Sequence, residues 1–131
     1  MSPGVPTLPV QHGDVELQQL HHHIVVVRRE LPLGVIGAQL LHASGESARL
    51  APLPPGTHAV LLEVEGQDPL LQLEAILTRQ GIPHAAVREP DEPWCGQLMA
   101  IGLAPLRRHQ LTGEAKRFLR RLSLFPQGER R

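Results

Sequence analysis

The sequence predicts an α/β domain with a mixed four-stranded sheet, helices on both faces and the element order βαβαββα. Three observations lead to this class. A run of β-branched residues at 24–27 is typical of a strand that is buried on both faces. Strand-like and helix-like apolar patterns then alternate twice, which favours right-handed crossovers with helices on both sides of the sheet. The last third of the chain adds two short strand patterns and an amphipathic segment.

The first strand and the first helix are separated by residues that break regular structure. Residues 24–27 form the strand, and Pro32 and Gly34 end it. Apolar residues recur at helical spacing from residue 35 to about residue 46, where Gly45 is expected to end the helix. Residues 50–56 contain three prolines, which lack backbone donors, and this segment is therefore predicted to be a linking loop.

The second strand and the second helix carry the firmest local signals. Residues 58–65 predict a strand. Asp68 is a suitable N-cap and Pro69 suits the first helical position, while Gly81 is expected to stop the helix. The apolar stripe of this helix consists of Leu70, Leu73, Ile76 and Leu77.

The remaining elements are two strands and a last helix. Residues 84–88 and 97–103 predict strands on either side of a proline-rich turn at 89–96. The last helix is expected at 108–122. Its inward residues are Leu111, Ala115, Phe118, Leu119 and Leu122, and the basic residues left for the surface are Arg107, Arg108, Lys116, Arg117, Arg120 and Arg121.

Length and composition bound the kind of protein. A chain of 131 residues suits one domain, expected at 20–125, between an irregular leader at 1–19 and a tail at 126–131. Cys95 is the single cysteine, which excludes an internal disulfide framework. No signal peptide opens the chain, and no apolar run approaches the roughly 20 residues that cross a bilayer. We therefore expect a cytoplasmic protein with no membrane partner. The formal net charge is zero, so no global basic field indicates nucleic acid.

Two short groups of residues are weak candidates for a metal site or a catalytic site. His21, His22 and His23 resemble a metal-binding tract, but successive strand residues point to opposite faces and cannot converge on one ion. Cys95 is a nucleophile candidate with His42 or His84 as its base, against the simpler interpretation of an ordinary turn cysteine. No metal site and no cofactor are predicted.

A longer pattern resembles a known family. Residues 27–31 (Val-Arg-Arg-Glu-Leu) are followed by Pro-Leu-Gly at 32–34 and by Ala-Gln-Leu-Leu-His-Ala at 38–43. This order resembles the opening of the type 2 peptidyl-tRNA hydrolases, and it is closest to their shorter "peptidyl-tRNA hydrolase domain-containing" branch. The likeness continues through residues 82–89 and 101–105 to the closing Leu-Phe, and it spans roughly residues 23–125.

The sequence departs from the family at two of three polar positions. Active members carry a lysine at the start of the first helix, where this chain has Gly34, Val35 and Ile36. The family's acidic residue after the third strand matches Glu89, which is one methylene longer. The threonine that follows it has no counterpart, since residues 90–98 contain no hydroxyl.

The resemblance implies hydrolysis of the ester between peptide and tRNA. Glu89 would be the general base, and Gln39 and His42 would orient the water or donate to the carbonyl oxygen. Alternatively, Gln39 and His42 bond buried loop backbone and Glu89 is a solvated turn carboxylate. The tRNA would be held by basic residues, namely Arg28, Arg107, Arg108, Lys116 and Arg117.

The roles of the basic residues stay open at the level of sequence. Arg28 can replace the missing cation or pair with a nearby carboxylate, and the arginines of the last helix can be a solvated helix end. The family also implies a possible homodimer. A second hypothesis keeps the fold without the reaction, as a tRNA-binding or protein-interaction domain.

Overall fold

A computed structural model describes residues 20–127, so the predicted leader at 1–19 and residues 128–131 lie outside the described residues. The elements, in chain order, are β1 (His21–Arg28), α1 (Leu33–Ala48), β2 (His58–Val64), α2 (Gln67–Gln80), β3 (His84–Glu89), β4 (Gln97–Leu103), β5 (Leu106–Arg107), a 3₁₀ turn (Arg108–Gln110), α3 (Gly113–Arg120) and β6 (Ser123–Leu124).

One mixed sheet organises these elements. Its strand order is β3-β4-β1-β2-β6, and β5 pairs with β1 beyond the end of β4. Strands β1 and β2 are parallel, and the other pairs are antiparallel. The predicted α/β class is confirmed, but the four-stranded sheet in the order βαβαββα was wrong in detail. The sheet has six strands. The two that were not predicted, β5 and β6, are each two residues long, which is too short to show a periodic pattern.

The helices cover both faces of the sheet, as predicted. On one face, α2 and α3 pack over alternate residues of β1 and β4, including Ile24, Val26 and Ile101. On the other face, α1 packs over Val25 and Val27 together with parts of β3 and β4. The sheet is therefore buried on both sides along β1 and β4, as their continuous apolar runs indicate.

The boundaries of two helices differ from the prediction. Helix α1 begins at Leu33 and continues through Gly45 to Ala48, and its last turn packs against Gly102 of β4 through the buried Ser47. The predicted N-cap of the second helix, Asp68, lies inside its first turn, and Gly66 at φ 87° is the cap. Gly81 ends this helix in the left-handed region, at φ 69°, as expected.

The last helix is shorter than predicted. Residues 108–110 form a separate 3₁₀ turn, and α3 begins only at Gly113. Gln80, at the end of α2, accepts a hydrogen bond from the Ala115 N–H at 2.7 Å and donates to the Thr112 carbonyl at 2.9 Å. A side chain from another helix thus caps α3, and this tertiary contact starts the helix five residues later than its apolar pattern indicates.

Candidate functional site

The amide of Gln39 and the carboxylate of Glu89 meet at the face of the sheet that α1 covers. Gln39 is buried in α1, and Glu89 is the last residue of β3. Gln39 Nε2 donates to Glu89 Oε1 at 3.1 Å, although the two residues are 50 positions apart in sequence. The Asp91 N–H points at Glu89 Oε2 from 3.3 Å. Gln39 therefore orients a carboxylate that keeps accepting capacity on its second oxygen.

The contacts that hold α1 against the sheet lie further along the helix than Gln39. Gly102 in β4 has no side chain, so the Ala43 carbonyl and the Ser47 side chain approach its backbone directly. The fully buried Ser47 hydroxyl donates to the Ala43 carbonyl at 2.6 Å and lies 2.7 Å from Nε2 of His23. These contacts anchor the carboxyl-terminal half of α1 to the sheet and hold Gln39 near the end of β3.

A second polar group lies at the carboxyl end of β1, beside this pair. The buried Arg28 guanidinium donates to Oε1 of Gln97 at 2.9 Å and to the Leu98 carbonyl at 3.0 Å. Gln97 is the cross-strand partner of Glu89 in the β3–β4 ladder. Because directly opposed residues share a face of the sheet, Gln97 and Glu89 occupy adjacent positions on the same face.

Arg28 is paired with a carboxylate, which confirms one of the two roles that the sequence allowed for it. Its Nη2 lies 2.7 Å from Glu30 Oε2, and Glu30 Oε1 accepts from the Gly66 N–H at 2.8 Å. Burial alone would raise the pKa of Glu30, but the hydrogen bonds from Gly66 and Arg28 together lower it. Glu30 therefore stays charged and neutralises Arg28.

His42, the third predicted catalytic residue, lies apart from this arrangement. It is exposed on α1, whereas Gln39 is buried. Within residues 20–127 no hydrogen bond joins His42 to Gln39, to Glu89 or to loop backbone. Gln39 also does not bond loop backbone in this part of the chain, because its amide is directed at the carboxylate.

The predicted tRNA-binding residues fall into three places. Arg28 lies at the carboxyl end of β1. Arg107 lies in β5, directly opposite His21 at the amino end of β1. At ~3.3 Å per residue, the six-residue step from His22 to Arg28 separates the two ends by ~20 Å. Arg108 and Lys116 line a cavity near His22. Arg117 lines a different cavity, between α3 and α2.

The histidine tract behaves as strand alternation predicts. His23 turns towards Ser47 in α1, and His22 turns to the other face, where its ring meets that of His58 edge-on with centroids 5.5 Å apart. Burial comes first among the causes that lower the pKa of His22, followed by His58, Arg108 and His21. Among the described residues no group of three histidine, cysteine or acidic side chains is placed to hold a metal ion. Cys95 is exposed in the turn before β4.

Sequence reasoning missed three residues that complete these clusters. Glu30 was part of the resemblance, but nothing indicated that it would bond both Arg28 and the loop before α2. Gln97 was only the first residue of a predicted strand, and pairing that strand antiparallel with 84–89 would have placed it beside Glu89. Arg120 was placed on the surface of the last helix but was not among the predicted tRNA-binding residues, although it lines the same cavity as Lys116.

Comparison with known proteins supports the fold alone. No protein-family model matches the sequence. No curated protein matches it either. Fourteen chains among the solved structures match the fold. One is the structure of a protein of unknown function from Agrobacterium tumefaciens strain C58, with a TM-score of 0.51 and 12% sequence identity over 79% of this chain and 96% of that chain. At this identity the similarity extends to the α/β architecture and not to a site.

None of the helices within residues 20–127 is both long and apolar enough to cross a bilayer.

Proposed function

We propose that this protein hydrolyses the ester that links a peptide to tRNA, as the resemblance to type 2 peptidyl-tRNA hydrolases implies. The observation that carries the proposal is the 3.1 Å hydrogen bond between Gln39 and Glu89. The resemblance selects these two residues from distant segments, and in the fold they form one polar pair. Glu89 acts as the general base, and Gln39 sets the orientation of its carboxylate.

The reaction follows from the free accepting capacity of Glu89. Its carboxylate takes a proton from water as the water oxygen attacks the ester carbonyl carbon, which gives a tetrahedral oxyanion. The bond from that carbon to the ribose oxygen then breaks, and the proton on Glu89 passes to the leaving oxygen. The products are a free peptide acid and a tRNA with its 3′ ribose hydroxyl restored, and Glu89 is returned as the carboxylate.

The oxyanion needs a donor, since the family lysine is absent. We assign this role to Gln97. Its Oε1 accepts from Arg28, so its amide N–H groups are turned away from the guanidinium and polarised by it. Arg28 then acts through Gln97 instead of contacting the substrate, because Glu30 and Gln97 already occupy its guanidinium.

The test is the release of free peptide from N-acetylaminoacyl-tRNA by the purified protein. Glu89→Gln removes the base and should abolish turnover, whereas Glu92→Gln, in the exposed turn that follows β3, should retain it. Gln97→Glu keeps an acceptor for Arg28 but replaces the N–H donors, and should lower kcat by roughly 100-fold or more without loss of folding. Turnover that persists in Glu89→Gln would refute the mechanism.

A second candidate function is tRNA or protein binding without hydrolysis. One observation favours it: Arg28, at the carboxyl end of β1, is neutralised by Glu30, while Gly34, Val35 and Ile36 stand where the family has its lysine. In this case the folded protein gives no turnover. Any tRNA binding would then depend on Arg107, Arg108 and Lys116, and each lost phosphate contact would reduce the slope of log K against log salt by about 0.9.

A further inference from the structure

A cavity of about 420 Å³ lies at the amino-terminal end of β1, between the sheet and α3. Its floor is apolar and is formed by Ile24, Leu106 and Leu111. Its rim carries His22, Arg108, Lys116 and Arg120. We call this cavity the basic pocket. It lies at the opposite end of β1 from Arg28, a step of ~20 Å along the strand, and its volume is within the range of small-molecule sites.

The cations of the basic pocket lack carboxylate partners, unlike four of the eight other arginines within residues 20–127. Arg28, Arg29, Arg79 and Arg88 each form an ion pair with a glutamate. Within residues 20–127, no carboxylate lies within 4.0 Å of the side-chain nitrogens of Arg108, Lys116 or Arg120. None of the residues that line the pocket is acidic.

The three cations come from two different elements. Arg108 lies in the 3₁₀ turn, and Lys116 and Arg120 are four residues apart on the same side of α3. The neighbouring residue Arg117 lies on the other side of α3 and lines the cavity that faces α2. The basic residues of α3 therefore lie on two sides of the helix, and Lys116 and Arg120 are the two that line the basic pocket.

The local field on the rim is positive. Burial is the largest cause that lowers the pKa of His22, and the neighbouring His58, Arg108 and His21 lower it further. Lys116 and Arg120 of α3 line the same cavity. No acidic group offsets these charges in the part of the pocket that the structure describes. An anion would relieve the repulsion among the cations, and two arginines and a lysine suit a doubly charged phosphate better than a single carboxylate.

We propose that the basic pocket binds the phosphate group of a small organic phosphate, with the organic part resting on the floor of Ile24, Leu106 and Leu111. The proposal goes beyond ester hydrolysis and does not depend on it. Phosphate can also be presented by the backbone of a nucleic acid, so the test separates a free organic phosphate from tRNA.

Isothermal titration calorimetry at low salt would measure the binding of phenyl phosphate and inorganic phosphate to the full chain. We expect saturable one-to-one binding, with phenyl phosphate at least fivefold tighter because its ring covers the apolar floor. Lys116→Ala and Arg120→Ala should each weaken binding of phenyl phosphate at least tenfold. The matched control Arg117→Ala removes an equal charge one residue away and should change Kd by less than twofold.

The outcomes are separable. Equal weakening in Arg117→Ala would show general charge attraction and would overturn the site. Saturable binding of tRNA with no saturable binding of phenyl phosphate or inorganic phosphate would identify a nucleic-acid surface instead, and would also overturn it. Loss of peptide release in Glu89→Gln tests the hydrolase proposal alone, because calorimetry on the basic pocket does not require turnover. Urea unfolding of each variant checks that these exposed substitutions leave the fold intact.

Discussion

Replacing Gly102 by alanine tests how α1 is positioned on the sheet. A Cβ at this position would lie 2.6 Å from the Ala43 carbonyl oxygen and closer still to the Ser47 hydroxyl. Ordinary contacts begin near 3.4 Å, so α1 would have to move by about 1 Å. The backbone carbonyl cannot rotate away as a flexible side chain would, and the helix itself must therefore shift.

The expected cost combines overpacking with loss of a buried polar contact. Overpacking a dense interior costs about 1–3 kcal/mol. Moving the buried Ser47 hydroxyl away from His23 costs about 1–3 kcal/mol more. The better strand propensity of alanine offsets about 0.5–1 kcal/mol. We therefore expect Gly102→Ala to lower the free energy of unfolding by about 1–5 kcal/mol, with a central value of about 3 kcal/mol.

Urea unfolding followed by the fluorescence of Trp94 provides the assay. Trp94 is the only tryptophan and packs against the apolar cluster beneath α1, so it reports on this helix. The control is Gly45→Ala, since Gly45 lies within α1 with no atom near enough to obstruct a Cβ. It should raise stability by about 0.5–1 kcal/mol. A loss below about 1 kcal/mol in Gly102→Ala would refute the close approach of α1 and β4.

Three further predictions concern charge and capping. The pKa of Glu30 is lowered in the fold, so its contribution to stability is present above the ordinary carboxyl pKa of about 4.3 and is lost as the pH falls through the folded value. Glu30→Gln should therefore be less stable than the parent protein at neutral pH, with the difference shrinking on acidification in urea unfolding. The pKa of His22 is lowered by burial and by nearby positive groups, and an anion in the basic pocket would raise it. Sulfate, whose charge is constant from pH 8 to pH 6, should bind more tightly as the pH falls, and His22→Gln should remove this slope in calorimetry. Gln80→Ala should destabilise the protein by about 1 kcal/mol in urea, since it removes the cap of α3, whereas Gln72→Ala on the same helix should change stability by less than about 0.5 kcal/mol.

The elements that the sequence predicted well are those whose signal is local. Strand β4 occupies the predicted residues 97–103, because burial on both faces leaves a continuous apolar run. The buried residues of α2 are the four of its predicted stripe. The loop at 50–56 is likewise irregular, as its prolines require.

The misses depend on contacts between distant segments. The start of α3 is set by Gln80, which lies more than 30 residues earlier, and its apolar pattern carries no trace of that cap. Strand β5 exists because the chain resumes pairing with β1 after Pro105, and a two-residue strand has no period. In the candidate site, the resemblance selected Gln39 and Glu89 but gave no distance between them. The sequence left open whether Arg28 pairs with a carboxylate, although Glu30 is only two residues away.

The cations at the two ends of β1 differ in whether a carboxylate neutralises them. The hydrolase proposal and the phosphate-binding proposal therefore rest on independent observations. At the carboxyl end, Glu30 neutralises Arg28 and leaves a fixed array of polar groups around Glu89. At the amino end, the cations of the basic pocket have no carboxylate partner within residues 20–127. Effects at sites more than about 10 Å apart with no shared partners usually add within about 0.5 kcal/mol. Peptide release by Gln97→Glu, which keeps a measurable rate, by Lys116→Ala and by the double variant should thus show no coupling beyond this value. A larger coupling would mean that one ligand spans both ends of the strand, as a tRNA held by Lys116 with its ester at Glu89 would.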